Sequence, residues 1–222
     1  MIVLNDLCKT FVLGDQIVRA LDHVSLTINN GDYVSIMGPS GSGKSTMLNM
    51  LGLLDRPSSG EYRLDGIATS HLPEEERALL RRNYIGFVFQ SFHLIPRLNT
   101  QENIELPMVL AGVDAKERRQ RSREVMERLG LASRADHLAT QLSGGQRQRV
   151  AIGRALVMHP KLLLADEPTG NLDSHSGADV INLLEELNAS GITLIIVTHD
   201  SAMGMRAKRQ VRMADGRVVF NQ

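Results

Sequence analysis

The octet Gly38-Pro39-Ser40-Gly41-Ser42-Gly43-Lys44-Ser45 narrows the folds open to this chain more than any other segment. It matches the G-x-x-x-x-G-K-[ST] phosphate loop at every fixed position, and its flanks supply the context such a loop needs. Tyr33-Val34-Ser35-Ile36-Met37 reads as a short buried strand running into it. Beyond it, Met47, Leu48, Leu51 and Leu54 are expected on one helical face. The glycines let the backbone close on phosphates, and the helix N-terminus adds roughly half a positive charge. Gly38, Pro39, Ser40, Gly41, Ser42, Gly43 and Thr46 are therefore expected around the phosphates of a nucleotide. Lys44 is expected to reach the β- and γ-phosphates, and the Ser45 hydroxyl to ligate Mg²⁺. A glycine-rich turn without a ligand is the bland alternative; the agreement of pattern, strand and helix weighs against it.

Further along, Leu142-Ser143-Gly144-Gly145-Gln146 opens a helical stretch with a serine and two glycines, a second surface of free backbone N–H groups for an anion. Two phosphate-gripping loops in one chain are a surplus unless the second serves a neighbour's nucleotide. The pair therefore predicts a dimer closing over ATP. Leu162-Leu163-Leu164-Ala165 reads as a buried strand, bounded by Pro160 and Pro168 and ending in Asp166-Glu167. Adjacent carboxylates at a strand end are costly without a cation or polar partners. Asp166 suits Mg²⁺, directly or through water, and Glu167 suits the general base on the attacking water. In an isolated string, Asp-Glu-Pro would instead start a surface turn.

Two more strands end in useful groups. The run Ile192 to Thr198 leads to His199, and Ile85 to Phe89 leads to Gln90. Ligands of open parallel sheets gather at the carboxyl ends of strands. His199 is thus expected to hydrogen-bond a γ-phosphate, and Gln90 to meet Mg²⁺ or the attacking water.

The phosphate loop, Gln90, Leu142–Gln146, Asp166-Glu167, Asn171-Leu172-Asp173 and His199 occur in the order of an ABC-transporter ATP-binding subunit, which nearly the whole chain resembles. The resemblance implies that Ser143, Gly144 and Gly145, with Gln146 beside them, contact the γ-phosphate bound by the opposite subunit. It implies that Asp173 lies in a loop crossing the dimer interface, and that Phe11 stacks on adenine; a strand-end phenylalanine is otherwise core. Glu167-Pro168-Thr169-Gly170-Asn171-Leu172-Asp173, with Phe89-Gln90-Ser91-Phe92-His93-Leu94, is similar to the branch serving lipoprotein release, macrolide and peptide export and cell division. Gly170-Asn171 stands where many other such subunits have serine-alanine, a departure that fits this branch.

Membership there implies ATP and Mg²⁺ as cofactors and a homodimer formed on ATP. It also implies an integral membrane subunit with few spans and a large extracytoplasmic domain. The chain would then sit in the cytoplasm, peripheral on the inner (plasma) membrane. ATP hydrolysis would drive export, lipoprotein release or mechanotransmission across the bilayer. Ser91-Phe92-His93-Leu94-Ile95-Pro96 is apolar for a connector. Phe92, Leu94 or Ile95 is expected to line a groove for a short cytoplasmic helix of the partner, with burial against the helical lobe as the alternative.

At 222 residues the chain suits a single α/β domain over 1–222: a P-loop core with a mainly parallel sheet, an N-terminal antiparallel β region and an inserted helical lobe at about 91–160. Val24, Leu26 and Ile28 alternate as in a strand, and Asp65-Gly66 and Asp215-Gly216 signal hairpin turns. Val180, Leu183, Leu184 and Leu187 share one side of a helix expected from about Gly177 to Leu187. The arginine- and glutamate-rich stretch from Lys116 to Arg134 reads as a solvated helix face. No apolar run approaches the roughly 18–20 residues of a membrane span, and the start carries no basic leader, so a soluble cytoplasmic chain is expected. Lysine plus arginine equals aspartate plus glutamate at 25 each, which gives no electrostatic case for nucleic acid. Cys8 is alone, which excludes an internal disulfide framework. A soluble ABC ATPase of DNA repair or translation would carry a coiled-coil insertion or a second cassette. A P-loop kinase or GTPase would lack Leu142–Gln146 and His199.

Overall fold

The computed structural model describes residues 1–222, the side chain of Leu13 excepted. The first half runs β1 (Ile2–Leu13), β2 (Gln16–Ile28), β3 (Tyr33–Met37), α1 (Lys44–Leu51), β4 (Ser59–Leu64), β5 (Ile67–Ala68), α2 (Glu74–Tyr84), β6 (Ile85–Phe89) and α3 (Thr100–Leu110). The second runs α4 (Ala115–Arg128), α5 (Gly144–Leu156), β7 (Leu162–Asp166), α6 (Ser174–Ala189), β8 (Thr193–Val197), α7 (Ser201–Gly204), β9 (Arg209–Ala214) and β10 (Arg217–Asn221).

Strands β2-β1-β4-β5 form an antiparallel sheet, in which Val24, Leu26 and Ile28 turn inward as their spacing predicts. Both expected hairpins close through two left-handed residues. Asp65 and Gly66 have φ +51° and +84°, and Asp215 and Gly216 have +48° and +75°, as a two-residue primed turn requires. The second sheet has the order β10-β9-β3-β8-β7-β6. Only its β10–β9 hairpin is antiparallel; β9, β3, β8, β7 and β6 all point the same way.

Strands buried on both faces divide their side chains between two cores. Leu162 and Leu164 of β7, with Val34 and Ile36 of β3, face the antiparallel sheet and α1. Leu163 and Ala165 face the helices, among Val150, Ile152, Val180 and Leu184. Helix α5 ties the helical region to the sheet. A Cβ on Gly153 would lie 3.0 Å from both Ile104 and Leu129, and one on Gly86 of β6 would lie 2.7 Å from the Ala155 carbonyl. Met47, Leu48 and Leu51 of α1 are buried as expected, but Leu54 is not: it is 47% exposed. The helix stops at Gly52, against which the Phe87 ring presses, and Leu53, with φ +55°, takes the buried place instead. Helix α6 is longer than its periodicity suggests and buries all four predicted residues.

Candidate nucleotide-binding and catalytic site

Gly38, Gly41 and Gly43 all have positive φ, at +156°, +80° and +98°. Two of them are also pressed by the fold. A Cβ on Gly38 would stand 2.3 Å from the Met213 carbonyl, and one on Gly43 would stand 2.3 Å from that of Ala20. The loop is thus wedged between β9 and β2. No side chain caps α1, so its first-turn donors are open to an anion. Lys44 folds back, donating from Nζ to the Gly38 and Pro39 carbonyls at 2.8 Å each and keeping one proton free. Ser42 behaves differently: its hydroxyl is buried inside the loop, without a hydrogen-bond partner.

A groove of about 430 Å³ borders the loop, lined by Ser40, Gly41, Gly43, Lys44, Ser45 and Thr46 and, opposite, by Val18, Arg19, Ala20 and Asp215. The β2 and Asp215 contributions were not read from sequence, because they arrive through sheet pairing. Phe11 pairs with Val18, which puts both side chains on one face at the rim of this groove. Phe11 is 39% exposed, and the Lys9 ammonium lies 5.0 Å from its ring centroid. It is not a core residue.

Parallel register assembles the rest. Phe89, Asp166 and Val197 lie abreast on β6, β7 and β8, and Ile36 of β3 stands beside Val197. Gln90, Glu167, Thr198-His199 and the phosphate loop therefore leave the sheet at one edge. Burial raises the carboxyl pKa of Asp166, the adjacent Glu167 raises it further, and Lys44 opposes both. Glu167 has φ +45° and holds its carboxylate in a cradle. Its Oε1 accepts from the His199 backbone N–H at 2.9 Å and faces His199 Nδ1 at 2.6 Å; its Oε2 accepts from Thr198 Oγ at 3.1 Å. The fully buried Thr198 is a site residue that strand periodicity could not single out. With Nδ1 on Glu167, neutral His199 offers Nε2 only as an acceptor; it donates there once protonated. The oxygens of Asp166, Ser45 and Gln90 are hard donors, and a half-buried carboxylate beside a second one calls for a cation, so the set fits Mg²⁺.

Ser143 caps α5. Its hydroxyl accepts from the Gln146 N–H at 3.2 Å, while Gln146 Oε1 accepts from the Ser143 N–H at 3.0 Å. Gly144 and Gly145 supply the remaining first-turn donors. Their missing side chains also admit the segment before α6 and its first turn: a Cβ on Gly144 would lie 3.1 Å from Leu172, and one on Gly145 3.1 Å from Ser176. Nothing from Leu142 to Gln146 lines the groove beside the phosphate loop. Asp173 caps α6, accepting from the Ser176 N–H at 2.9 Å, and this bonding holds its carboxyl pKa down.

After Gln90 the chain takes two left-handed residues, Phe92 and His93, with φ +59° and +49°. The half-buried Arg154 guanidinium fastens both of their carbonyls. Phe92 lies against Arg147, Leu94 packs into the helical core, and Ile95 is exposed. Leu94 thus follows the alternative for this connector, burial against the helical lobe, and none of the three walls the apolar groove nearby. The apolar groove, about 490 Å³, lies between β6, α2, α3 and α5, walled by Leu54, Phe87, Phe89, Pro107 and Leu110 and rimmed by Arg81, Arg82 and Arg154. A separate cleft follows the exposed face of α4, where Lys116, Arg119, Arg123, Glu124 and Glu127 make the mixed-charge surface expected there. No helix among the described residues is long and apolar enough to cross a membrane.

Comparison with known proteins agrees with this geometry. The ABC transporter family profile matches residues 21–170. The chain is 52% identical over 219 residues to the macrolide export ATP-binding/permease protein MacB of Burkholderia thailandensis, covering 99% of this chain and 34% of that protein. It is 48% identical over 222 residues to MacB of Bordetella avium, covering all of this chain and again 34% of the relative. The chain thus spans about a third of the length of these curated relatives. A solved structure titled as a dimeric post-hydrolysis state of the ATP-binding cassette MJ0796, bound to ADP and Pi, superposes with TM-score 0.91 at 45% identity, covering 100% of this chain and 98% of that one. The phosphate-loop sequence, the Asp166-Glu167 pair at the same sheet edge, the Leu142–Gln146 run and these likenesses lead to one assignment: the chain belongs to the ABC transporter family, as one of its ATPase cassettes.

Proposed function

We propose that two copies of this chain close head to tail over two ATP molecules and that the hydrolysis they catalyse works a membrane subunit. The observation that carries this reading is the held carboxylate of Glu167, one residue past Asp166 and at the same sheet edge as the phosphate loop. Lys44 and the N–H groups from Gly38 to Thr46 hold the phosphates, and Phe11 with Val18 flanks the base. Ser45, Gln90 and Asp166 hold Mg²⁺, which when bound neutralises phosphate charge. Glu167 takes the proton of the attacking water. His199 orients Glu167 through Nδ1 and, when protonated, donates from Nε2 to the γ-phosphate. Ser143, Gly144 and Gly145 serve the partner copy's nucleotide, which is consistent with their absence from this chain's own groove.

The whole chain acts as one domain, with residues of about 91–160 as the helical part that moves against the sheet. MacB relatives join an ATP-binding part to a permease part, and this chain corresponds to the first. Export, lipoprotein release and mechanotransmission all use this motor from the cytoplasmic face of the inner membrane. The arginine-rimmed groove beside Gln90 is the docking place for the membrane subunit. Its apolar walls fit a short amphipathic helix, and its arginines call for an acidic residue on that helix.

The test is Glu167→Gln. Hydrolysis should fall by roughly 10²–10⁴, the usual contribution of a general base. ATP binding should survive, and the protein should accumulate as an ATP-bound dimer in light scattering. Normal turnover in this variant would refute the base assignment.

A further inference from the structure

The turn between Glu167 and α6 meets Gln90 through a contact that the hydrolytic scheme does not use. Asn171 Nδ2 donates to the Gln90 main-chain carbonyl at 3.0 Å, and Gln90 Nε2 donates to Asn171 Oδ1 at 3.4 Å. A main-chain carbonyl only accepts, so it fixes which end of the Asn171 amide faces it. Asn171 must then present its oxygen to Gln90, and that oxygen demands the nitrogen end of the Gln90 amide. One backbone carbonyl thus sets the orientation of two amides in sequence. Gln90 Oε1 is left without a protein donor among the described residues. Gly170 supplies the room: a Cβ there would stand 2.5 Å from Gln90 Nε2 and 2.9 Å from Cδ. Its φ is not in the left-handed region, so the backbone itself does not demand glycine.

We infer that Asn171 is a positioning residue for Gln90, holding its amide nitrogen so that the oxygen is released to the cation that accompanies ATP. This rests on the proposed Mg²⁺·ATP site and adds to it a second layer of residues that orient the ligands. Asn171 is exposed, so its replacement leaves the core untouched.

The experiment measures ATP affinity by equilibrium dialysis with and without Mg²⁺, in Glu167→Gln protein so that the nucleotide persists. The quantity read is the dissociation constant without Mg²⁺ divided by that with it. Asn171→Ala should reduce that ratio roughly two- to tenfold, the equilibrium weight of one net hydrogen bond, with Mg²⁺-free affinity unchanged. Gly170→Ala, which crowds the Gln90 amide, should act in the same direction. In a Gln90→Ala background the Asn171→Ala effect should vanish, since the bond to the main-chain carbonyl of position 90 that remains has no side-chain amide left to orient. An unchanged ratio in Asn171→Ala, or an equal loss with and without Gln90, overturns the inference. Absence of ATP binding in the parent protein would overturn the nucleotide-site reading itself and this inference with it.

Discussion

Ser143 is asked to do two things, and substitutions can separate them. As a helix cap it accepts from the Gln146 N–H at 3.2 Å at the head of a 13-residue helix. Alanine removes that acceptor at a cost of about 1 kcal/mol. For a domain of this size that lowers the melting temperature by roughly 2–4 °C. Aspartate caps as well as serine does, and the helix dipole favours its charge by about 0.3–1 kcal/mol, so Ser143→Asp should melt at or slightly above the parent temperature. As a partner for a phosphate the order reverses. Alanine loses one hydroxyl but leaves the Gly144 and Gly145 N–H groups. Aspartate sets a negative charge against the phosphate, and like charges about 4 Å apart at an effective dielectric near 20 repel by about 4 kcal/mol, close to a thousandfold. Stability should therefore rank aspartate with serine above alanine, and ATP-driven dimerisation should rank serine above alanine far above aspartate. Thermal unfolding without nucleotide gives the first ranking. Light scattering with size separation, in Glu167→Gln protein with ATP and Mg²⁺, gives the second. A Ser143→Asp protein that dimerises like its parent would reduce Leu142–Gln146 to a helix cap and remove the case for a shared nucleotide.

Two further outcomes follow from the same geometry. Lys44→Ala should weaken ATP binding by roughly 10- to 100-fold, the weight of a lost charge-assisted hydrogen bond, while circular dichroism stays native; unchanged turnover would rule out the loop assignment. Asp166→Asn should abolish hydrolysis yet raise the melting temperature of the nucleotide-free protein at pH 7. Burial and Glu167 raise the folded-state pKa of Asp166, so its contribution to stability is fully present below the ordinary carboxylate range and lost as pH rises through the raised value. The advantage of asparagine should accordingly shrink on acidification, which melts taken from pH 7 down to pH 4 would test; an Asp166→Asn protein less stable than its parent at pH 7 contradicts the electrostatic account.

The phosphate loop was legible because its requirements are local: a buried strand, flexible backbone and a helix start sit within one window. The reasons for two of its glycines are not local at all. Gly38 and Gly43 are pressed by carbonyls of Met213 and Ala20, which belong to strands at the far ends of the chain. Leu54 was misplaced for a related reason: helical spacing continues past Gly52, but the Phe87 ring ends the helix there. The arginine-rimmed groove draws on Leu54, Phe87, Leu110 and Arg154, four segments that nothing in the sequence brings together. The connector Ser91–Pro96 drew attention instead because its apolar residues are consecutive. Thr198 and Asn171 stayed invisible as partners because their roles exist only once β6, β7 and β8 lie side by side.

Glu167 shows why the strand-end position is worth its strain. A non-glycine residue with φ +45° costs on the order of 1–2 kcal/mol, and the chain could relieve that with glycine. The turn is kept because it alone swings the side chain back towards the next strand, where Thr198 and His199 wait. The main chain is secured on both sides of it: the Glu167 N–H donates to the Val197 carbonyl at 2.9 Å, and its own carbonyl accepts from Gly170 at 3.0 Å. The carboxylate is held in place without a ligand, so in the proposed mechanism no reorganisation remains for the moment when the water gives up its proton. The same carbonyl bond to Gly170 starts the turn that carries Asn171 to Gln90 and Leu172 to the head of α5. The proposed base Glu167, the Gln90 amide and Leu142–Gln146 therefore hang on one short segment, and a shift of that segment changes all three together.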